Sequence, residues 1–321
     1  LWRPDVVKEL LGDDYAVFAR RFGLEQNANF EGQWHLTVHE SVNDVAKATG
    51  NTRSDARAAI ERSRKILFEE REKRVPPARD EKQLTSWNAL AIRGMAIAGR
   101  TLQREDLVDA ASDAADFIRS TLLVDGRLLA SFKDDQARFP AYLDDHAFLL
   151  DAILELLQAR WNSRHLALAR EIAELMLEHF EDSSSGGFFF TADDHEALIH
   201  RTKPLADEAV PSGNGIAAFA LQRLGFILGE TRYLDAAERT LRASWRAITE
   251  YPHGHVSLLT ALEEYLEHPE VIIIRGDSGE IEKWRDAAAR LYAPRRLVFA
   301  IDRSASELPG ALADRSPIDN E

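Results

Sequence analysis

Apolar residues return every three to four positions through most of the chain, the spacing of amphipathic helices rather than of strands. This spacing predicts helices over 54–74, 84–100, 105–119, 142–159, 163–180, 212–229, 231–249 and 254–266. Short polar turns (RTLQRE, RWNS, GE) lie between 84–100 and 105–119, between 142–159 and 163–180, and between 212–229 and 231–249. Each of these pairs is therefore expected to fold as an antiparallel helical hairpin. Thr52 is placed to cap the first helix, and Asn162 or Ser163 to cap the helix at 163–180.

The connections between hairpins are longer, at 75–83, 120–141 and 181–211, and the last two carry strand-like runs, GRLLASF (126–132) and GGFFFT (186–191). Alternation has a geometric consequence. The helices beginning near 84, 142 and 212 each follow a long connection, so their N-termini are expected at one end of the array. Helix N-termini carry unpaired N–H groups and the positive end of the helix dipole, which suit anions and hydroxyl oxygens. Beyond the helices, EVIIIRG (270–276), EIEKWRDAAARL (280–291) and RRLVFAID (295–302) read as strand, helix and strand, with the crossover length of a small parallel unit. The expected organisation is a helical-hairpin region over 1–268, an α/β appendage over 269–302 and a frayed tail over 303–321. RGDSGE, at the first strand-to-helix turn, lacks the GxGxxG pattern and the P-loop lysine, so nucleotide binding is not expected there.

The 321 residues, 45% of them hydrophobic, are enough for a large core. No apolar run approaches the ~18 residues of a membrane span, so a soluble protein is expected. A formal charge of −14 argues against a nucleic-acid backbone as partner. The basic cluster ERSRKILFEEREKR (61–74) is interleaved with Glu at helical spacing and reads as a solvated face. With no Cys there is no disulfide, thiolate metal site or thiol chemistry. A cytoplasmic location is expected, without metal or cofactor. The chain opens Leu1-Trp2-Arg3 and shows no signal-peptide pattern, and it is expected to be part of a longer protein.

Candidate chemistry sits at the helix starts. The first offers Asp80, Lys82, Trp87 and Asn88: charge, a stacking surface and an amide, which together suit sugar hydroxyls and sugar ring faces. The plainer alternative makes Trp87 a core residue and Asn88 a cap. The second start, YLDDHAF, carries Tyr142, Asp144, Asp145 and His146 in or beside its first turn. Those carboxylates and that imidazole could move protons, or they could be ordinary N-terminal acidic bias. At the third start, Asp207 precedes Ser212 and Asn214, with Gly213 and Gly215 permitting close approach. Ser212 is a capping candidate rather than a nucleophile, since no GxSxG surrounds it. NFEGQWHLTVHE supplies Trp34, with His35 and His39 in a stretch read as extended and not as a metal site; YPHGHVSLL supplies His253 and His255.

Five motifs in order, NFEG (29–32), DEKQLTSWNAL (80–90), YLDDHAFLLDAILELL (142–157), GGFFFT (186–191) and DEAVPSGNGIAA (207–218), resemble the family of thioredoxin-domain-containing, spermatogenesis-associated-protein-20-like proteins. The resemblance implies a mainly α fold, an (α/α)6-toroid-like set of helical hairpins similar to six-hairpin glycosidases and N-acylglucosamine 2-epimerases. It also implies a thioredoxin-like domain in the parent protein as partner. The thioredoxin-like domain and roughly the first half of the toroid have no counterpart here, so the toroid is expected to be incomplete. His146 stands where the family usually has Tyr, and Gly215 where Ser is usual. A sugar-like ligand is the expected partner. Hydrolysis would use two carboxylates, Asp145 and Asp207 first and Asp80 third; epimerisation would use His146 with His253 or His255. The contrasting expectation is a non-catalytic scaffold. A terpene-cyclase-like use of Leu143-Asp144-Asp145 would need an aromatic crater and a fuller acidic motif.

Overall fold

In a computed structural model the structure describes residues 1–315 apart from 197 and 291. Contacts divide the chain into two units, Leu1–Asp80 and Glu81–Glu321.

The first unit holds α1 (Pro4–Leu11), α2 (Tyr15–Phe22), α3 (Val42–Thr49) and α4 (Arg53–Glu72). The periodicity predicted only α4. The other three have eight residues each, too short for a 3.6-residue repeat to declare itself. Their core is Val7, Leu11, Phe18 and Leu67 on one side and Val17, Val45, Ala56 and Ile60 on the other. Thr52 caps α4 as expected, accepting the Asp55 N–H at 3.1 Å. Such a cap contributes about 1 kcal/mol.

In the second unit the expected hairpins are α5 (Thr85–Leu102) with α6 (Glu105–Phe117), α7 (Leu143–Ala159) with α8 (Ser163–His179), and α9 (Gly213–Leu228) with α10 (Thr231–Glu250). Helix α11 (Val256–Leu266) follows. The odd-numbered helices form one layer in the order α5, α7, α9, α11, and α6, α8 and α10 each pack on the helix that precedes them. This is the mainly α, toroid-like hairpin array. Helix α7 is its central stave: Leu143 and every residue from Asp145 to Ala159 are buried. A helix buried all round must have neighbours on every side. Among the described residues no helix is long and apolar enough to cross a membrane.

The 120–141 connection folds into a small antiparallel sheet of β2 (Leu123–Val124), β3 (Arg127–Lys133) and β4 (Gln136–Pro140). β1 (Gln83–Leu84) joins β3, pairing Leu84 with Ser131, and so fixes where α5 begins. GGFFFT forms no strand. It is held by single bonds, Phe189 N–H to Phe180 carbonyl at 2.8 Å and Phe190 N–H to Thr202 carbonyl at 2.8 Å.

At the C-terminus β5 (Glu270–Gly276), α12 (Ser278–Ala289) and β6 (Arg296–Asp302) make the predicted parallel crossover, in register from Glu270–Arg296 to Gly276–Asp302. The boundary expected at 268/269 is not where the contacts divide the chain. Leu297, Phe299 and Ile301 belong to the same buried cluster as α7 and α9, so the α/β segment shares the hairpins' core. The tail expected to fray from 303 is anchored by Leu312, which is 1% exposed, with Ala305 and Leu308 packed in part against the core. Gly310 (φ +56°) lies so close to the last turn of α9 that a Cβ there would meet the Leu228 carbonyl oxygen at 2.1 Å. The remaining tail residues, 316–321, lie outside the described residues.

Because the core is shared, Phe299→Ala should destabilise the hairpins and the α/β segment together, by about 3–5 kcal/mol. Denaturant unfolding followed by far-UV circular dichroism and by hydrogen exchange checks this. A separate early transition confined to 269–302 would contradict the shared core.

Candidate functional site

The starts of the four layer helices are stitched together in order by carboxylates. Asp145, in the first turn of α7, accepts the Tyr142 N–H at its own cap (2.9 Å) and the Ser86 N–H in the first turn of α5 (2.9 Å). Asp144, its neighbour, accepts the Gly213 N–H at the start of α9. Asp207 accepts the Ser212 N–H at the cap of α9 and the Ser257 N–H in the first turn of α11, both at 2.8 Å, and also the Ser257 hydroxyl. The expected convergence of helix N-termini on one rim is therefore a bonded arrangement, and it includes α11. Successive residues on a helix point about 100° apart, which is how Asp144 and Asp145 serve neighbours on opposite sides of α7. Gly213 is required for this: a Cβ there would lie 2.1 Å from the Asp144 Oδ1.

These environments separate the titratable groups. Burial raises the Asp145 carboxyl above its ordinary range, and its N–H partners offset this only in part. Asp144 is pushed up to about 6, first by burial and then by the Asp145 charge beside it, against the pull of the Gly213 N–H. Burial alone would raise Asp207 too, but the Ser257 hydroxyl and the Ser212 and Ser257 N–H groups hold it below the usual carboxylate range. His146, 2% exposed, is driven down to about 4 by burial and holds its Nδ1 2.8 Å from the Tyr142 carbonyl, packed on Phe180. Near neutral pH it is uncharged.

The other sequence candidates divide by environment. Tyr142 and Trp87 are surface aromatics, 37% and 67% exposed; Tyr142 stacks on Phe190 with ring centres 4.8 Å apart. Trp87 is not the core residue that the plainer reading made it. Asn88, Asn214 and Ser212 bond to backbone. The Asn88 amide donates to Leu84 (2.8 Å), and Ser212 donates to Pro204 (3.2 Å) while capping α9. Asn214, fully buried, accepts the Phe188 N–H (2.7 Å) and donates to the Phe188 and Pro204 carbonyls, so it pins GGFFFT to α9. His253 is exposed on a 3-10 turn before α11, while His255 is buried with Nδ1 2.7 Å from the Tyr251 carbonyl. Lys82 is exposed just before β1. Asp80 and Trp34 belong to the first unit, where Trp34 bridges Trp2 and donates to Gln26.

Two groupings were not singled out from the sequence. His179, Asp193 and Asp194 bring potential metal-ligand atoms within 4.8 Å of one another, but His179 already bonds Asp193 (2.8 Å) and Arg127 pairs with Asp194 (2.6 Å). The second is an ion network at mid-helix. Arg93 pairs with Asp151 (2.6 Å), Arg100 with Glu155 (3.1 Å), and Arg223 with both Glu155 (2.9 Å) and Glu264 (2.5 Å). Its signal was present in the sequence: Asp151 and Glu155 interrupt the otherwise apolar run LLDAILELL at i, i+4. A cavity of about 530 Å³ lies against this network and not at the rim.

No family model matches the chain. Over 289 residues it is 28% identical to spermatogenesis-associated protein 20 of Rattus norvegicus, covering 86% of this chain and 37% of the relative. For the Homo sapiens protein of the same name the identity is 25% over 309 residues, covering 89% of this chain and 39% of the relative. In sequence the chain is similar to spermatogenesis-associated protein 20. The chain thus spans well under half the length of the spermatogenesis-associated protein 20 chains it matches. Among solved structures, the GH76 α-mannanase of Bacteroides thetaiotaomicron aligns over 89% of this chain and 84% of its own, with 10% identity and a TM-score of 0.48. The helical architecture rests on the element order and packing described above, not on that score.

The raised Asp144 carboxyl fixes the sign of a pH effect. A carboxyl that binds its proton more tightly folded than unfolded makes the fold lose stability as pH rises from about 4 through about 6. Asp144→Asn should therefore be more stable than the parent at pH 7.5, by about 1–2 kcal/mol after solvent screening, and the gap should close below about pH 4. Thermal unfolding from pH 4 to 8 reads it. An equal gap at every pH would show that charge is not the cause.

Proposed function

We propose that the rim of helix starts is a carbohydrate-binding, carbohydrate-active site in which Asp144 carries the proton. The observation that supports this most is the Asp144 carboxyl at about 6, half-buried between the starts of α7 and α9. A group with its pKa near the working pH is populated in both forms and can give or take a proton in a transition state. Its neighbours suit a sugar. Trp87 and Tyr142 expose aromatic faces, on which the apolar faces of pyranose rings stack. Helix N-termini favour the hydroxyl and ring oxygens.

The first sequence candidates take different roles in this proposal. Asp145 and Asp207 have their oxygens occupied by backbone N–H groups and hold the helices in place, so they are positioning residues. His146 is neutral and bonded to a carbonyl, which leaves Asp144 as proton carrier and the exposed His253 as the candidate second group. Hydrolysis would need a second carboxylate across the sugar; epimerisation would need an acid and a base flanking one carbon. In the parent protein a thioredoxin-like domain is the proposed companion.

The test is thermal unfolding of the chain with a panel of neutral sugars, sugar phosphates and uronides. A ligand at about 100 times its Kd stabilises by about 2.7 kcal/mol. The shift should vanish in Trp87→Ala. Asp144→Asn should keep the shift and lose any turnover followed by NMR. No response to any sugar at saturation would overturn the proposal and favour the scaffold that acts through a protein partner.

A further inference from the structure

We infer a second ligand site, for a small molecule carrying an oxyanion, in the cavity at mid-helix. It stands on different residues from the rim and does not depend on the rim's role. The cavity of about 530 Å³ is walled by α5, α7, α9 and α11 on one side and by the segment from Arg285 to Val298 on the other. That volume lies in the range of cofactor and metabolite sites.

Its floor is built and charged. Arg223, Glu155 and Glu264 are 4%, 5% and 3% exposed and bonded to one another. Arg223 also donates to the Pro294 carbonyl at 3.4 Å and lies over the Phe219 ring, 4.0 Å from its centre. Gln158 donates to Glu155 (3.2 Å) and accepts the Val298 N–H (3.4 Å), joining the floor to the α/β segment. These groups satisfy one another, so the floor is fixed without a ligand.

The walls are different. Arg93, Ile97 and Arg100 follow one another at i, i+4 and i+7 on the cavity face of α5. Among the described residues only the Nε of Arg93 (to Asp151) and only the Nη2 of Arg100 (to Glu155) are engaged. Both side chains line the cavity, one turn of helix on either side of Ile97, and their other guanidinium nitrogens carry no hydrogen bond among the described residues. Arg290, opposite, also lines it and has no carboxylate partner among the described residues. Arg93, Arg100 and Arg223 balance Asp151, Glu155 and Glu264, so Arg290 supplies the positive charge left over, and together with the unengaged donors of Arg93 and Arg100 it suits a negative guest. Guanidinium N–H pairs match the oxygen spacing of phosphate and carboxylate. Ile97, Phe219 and Ala289 supply apolar surface for the rest of the molecule.

Calorimetric titration of the full chain at low ionic strength, with inorganic phosphate and separately with malonate, tests the site. Saturable binding of at least one is expected, weakened about tenfold or more in Arg100→Gln, the size of a lost charge-assisted hydrogen bond. Arg100→Gln should fold, since Glu155 keeps Arg223. Arg290→Gln, on an exposed residue, gives the same readout if it does not. Trp87→Ala should leave this binding unchanged. Phosphate alone would identify a phosphate ester as the ligand class, malonate alone a carboxylate. Failure of both to bind, or binding that Arg100→Gln and Arg290→Gln leave untouched, would overturn the site.

Discussion

Every helix begins with N–H groups that have no partner within the helix, and in the second unit four helices begin at the same place. If those donors went unmet in a partly buried rim, each would cost on the order of 1–3 kcal/mol. The chain meets the need with carboxylates that serve two helices at once: Asp145 for α7 and α5, Asp207 for α9 and α11, and Asp144 from α7 to α9. The order of the layer is set by these shared acceptors as much as by apolar packing. The polar demand of each helix start can be met only by its correct neighbour.

The middle of the layer is tied in another way. Arg223 sits between Glu155 and Glu264 and so fixes α9 against both α7 and α11. Such a network is a poor source of net stability, because desolvating the ions offsets their attraction. It is a strong source of register, because a shift of one residue would strand a buried charge. Two kinds of polar contact, caps at the rim and ions at mid-height, therefore hold the same four helices at two levels. The apolar residues between them supply most of the free energy.

Much of this was legible in the sequence. The hairpins came from the 3.6-residue period, the capping role of Thr52 from its residue type, and the common rim from counting which helices follow long connections. The β-branched runs at 270–276 and 295–302 announced the parallel pair. What stayed hidden depends on contacts distant in sequence. Nothing local says that Asp145 turns toward Ser86 while Asp144 turns toward Gly213. Nor could local pattern show that Asn214 would give its whole amide to the backbone of residues 188 and 204. Helices α1 to α3 were missed because two turns carry too few apolar positions. The ion network was readable in principle, since Asp151 and Glu155 stand in a run of leucines, but its partners on α5, α9 and α11 were not.

The rim also couples structure to proton chemistry. Asp144 titrates near 6 partly because Asp145 stands beside it, and Asp145 stands there because it caps two helices. A neutral cap in its place would keep part of the hydrogen bonding but remove that charge, and the Asp144 carboxyl would fall toward its ordinary value. The carboxylate that caps two helices therefore also raises the carboxyl beside it. Burial sharpens both effects, because the same loss of water that makes the cap necessary strengthens the repulsion across it. A helix start where one acid caps two helices and raises the carboxyl of its neighbour follows from two adjacent aspartates pointing to different sides of one buried helix.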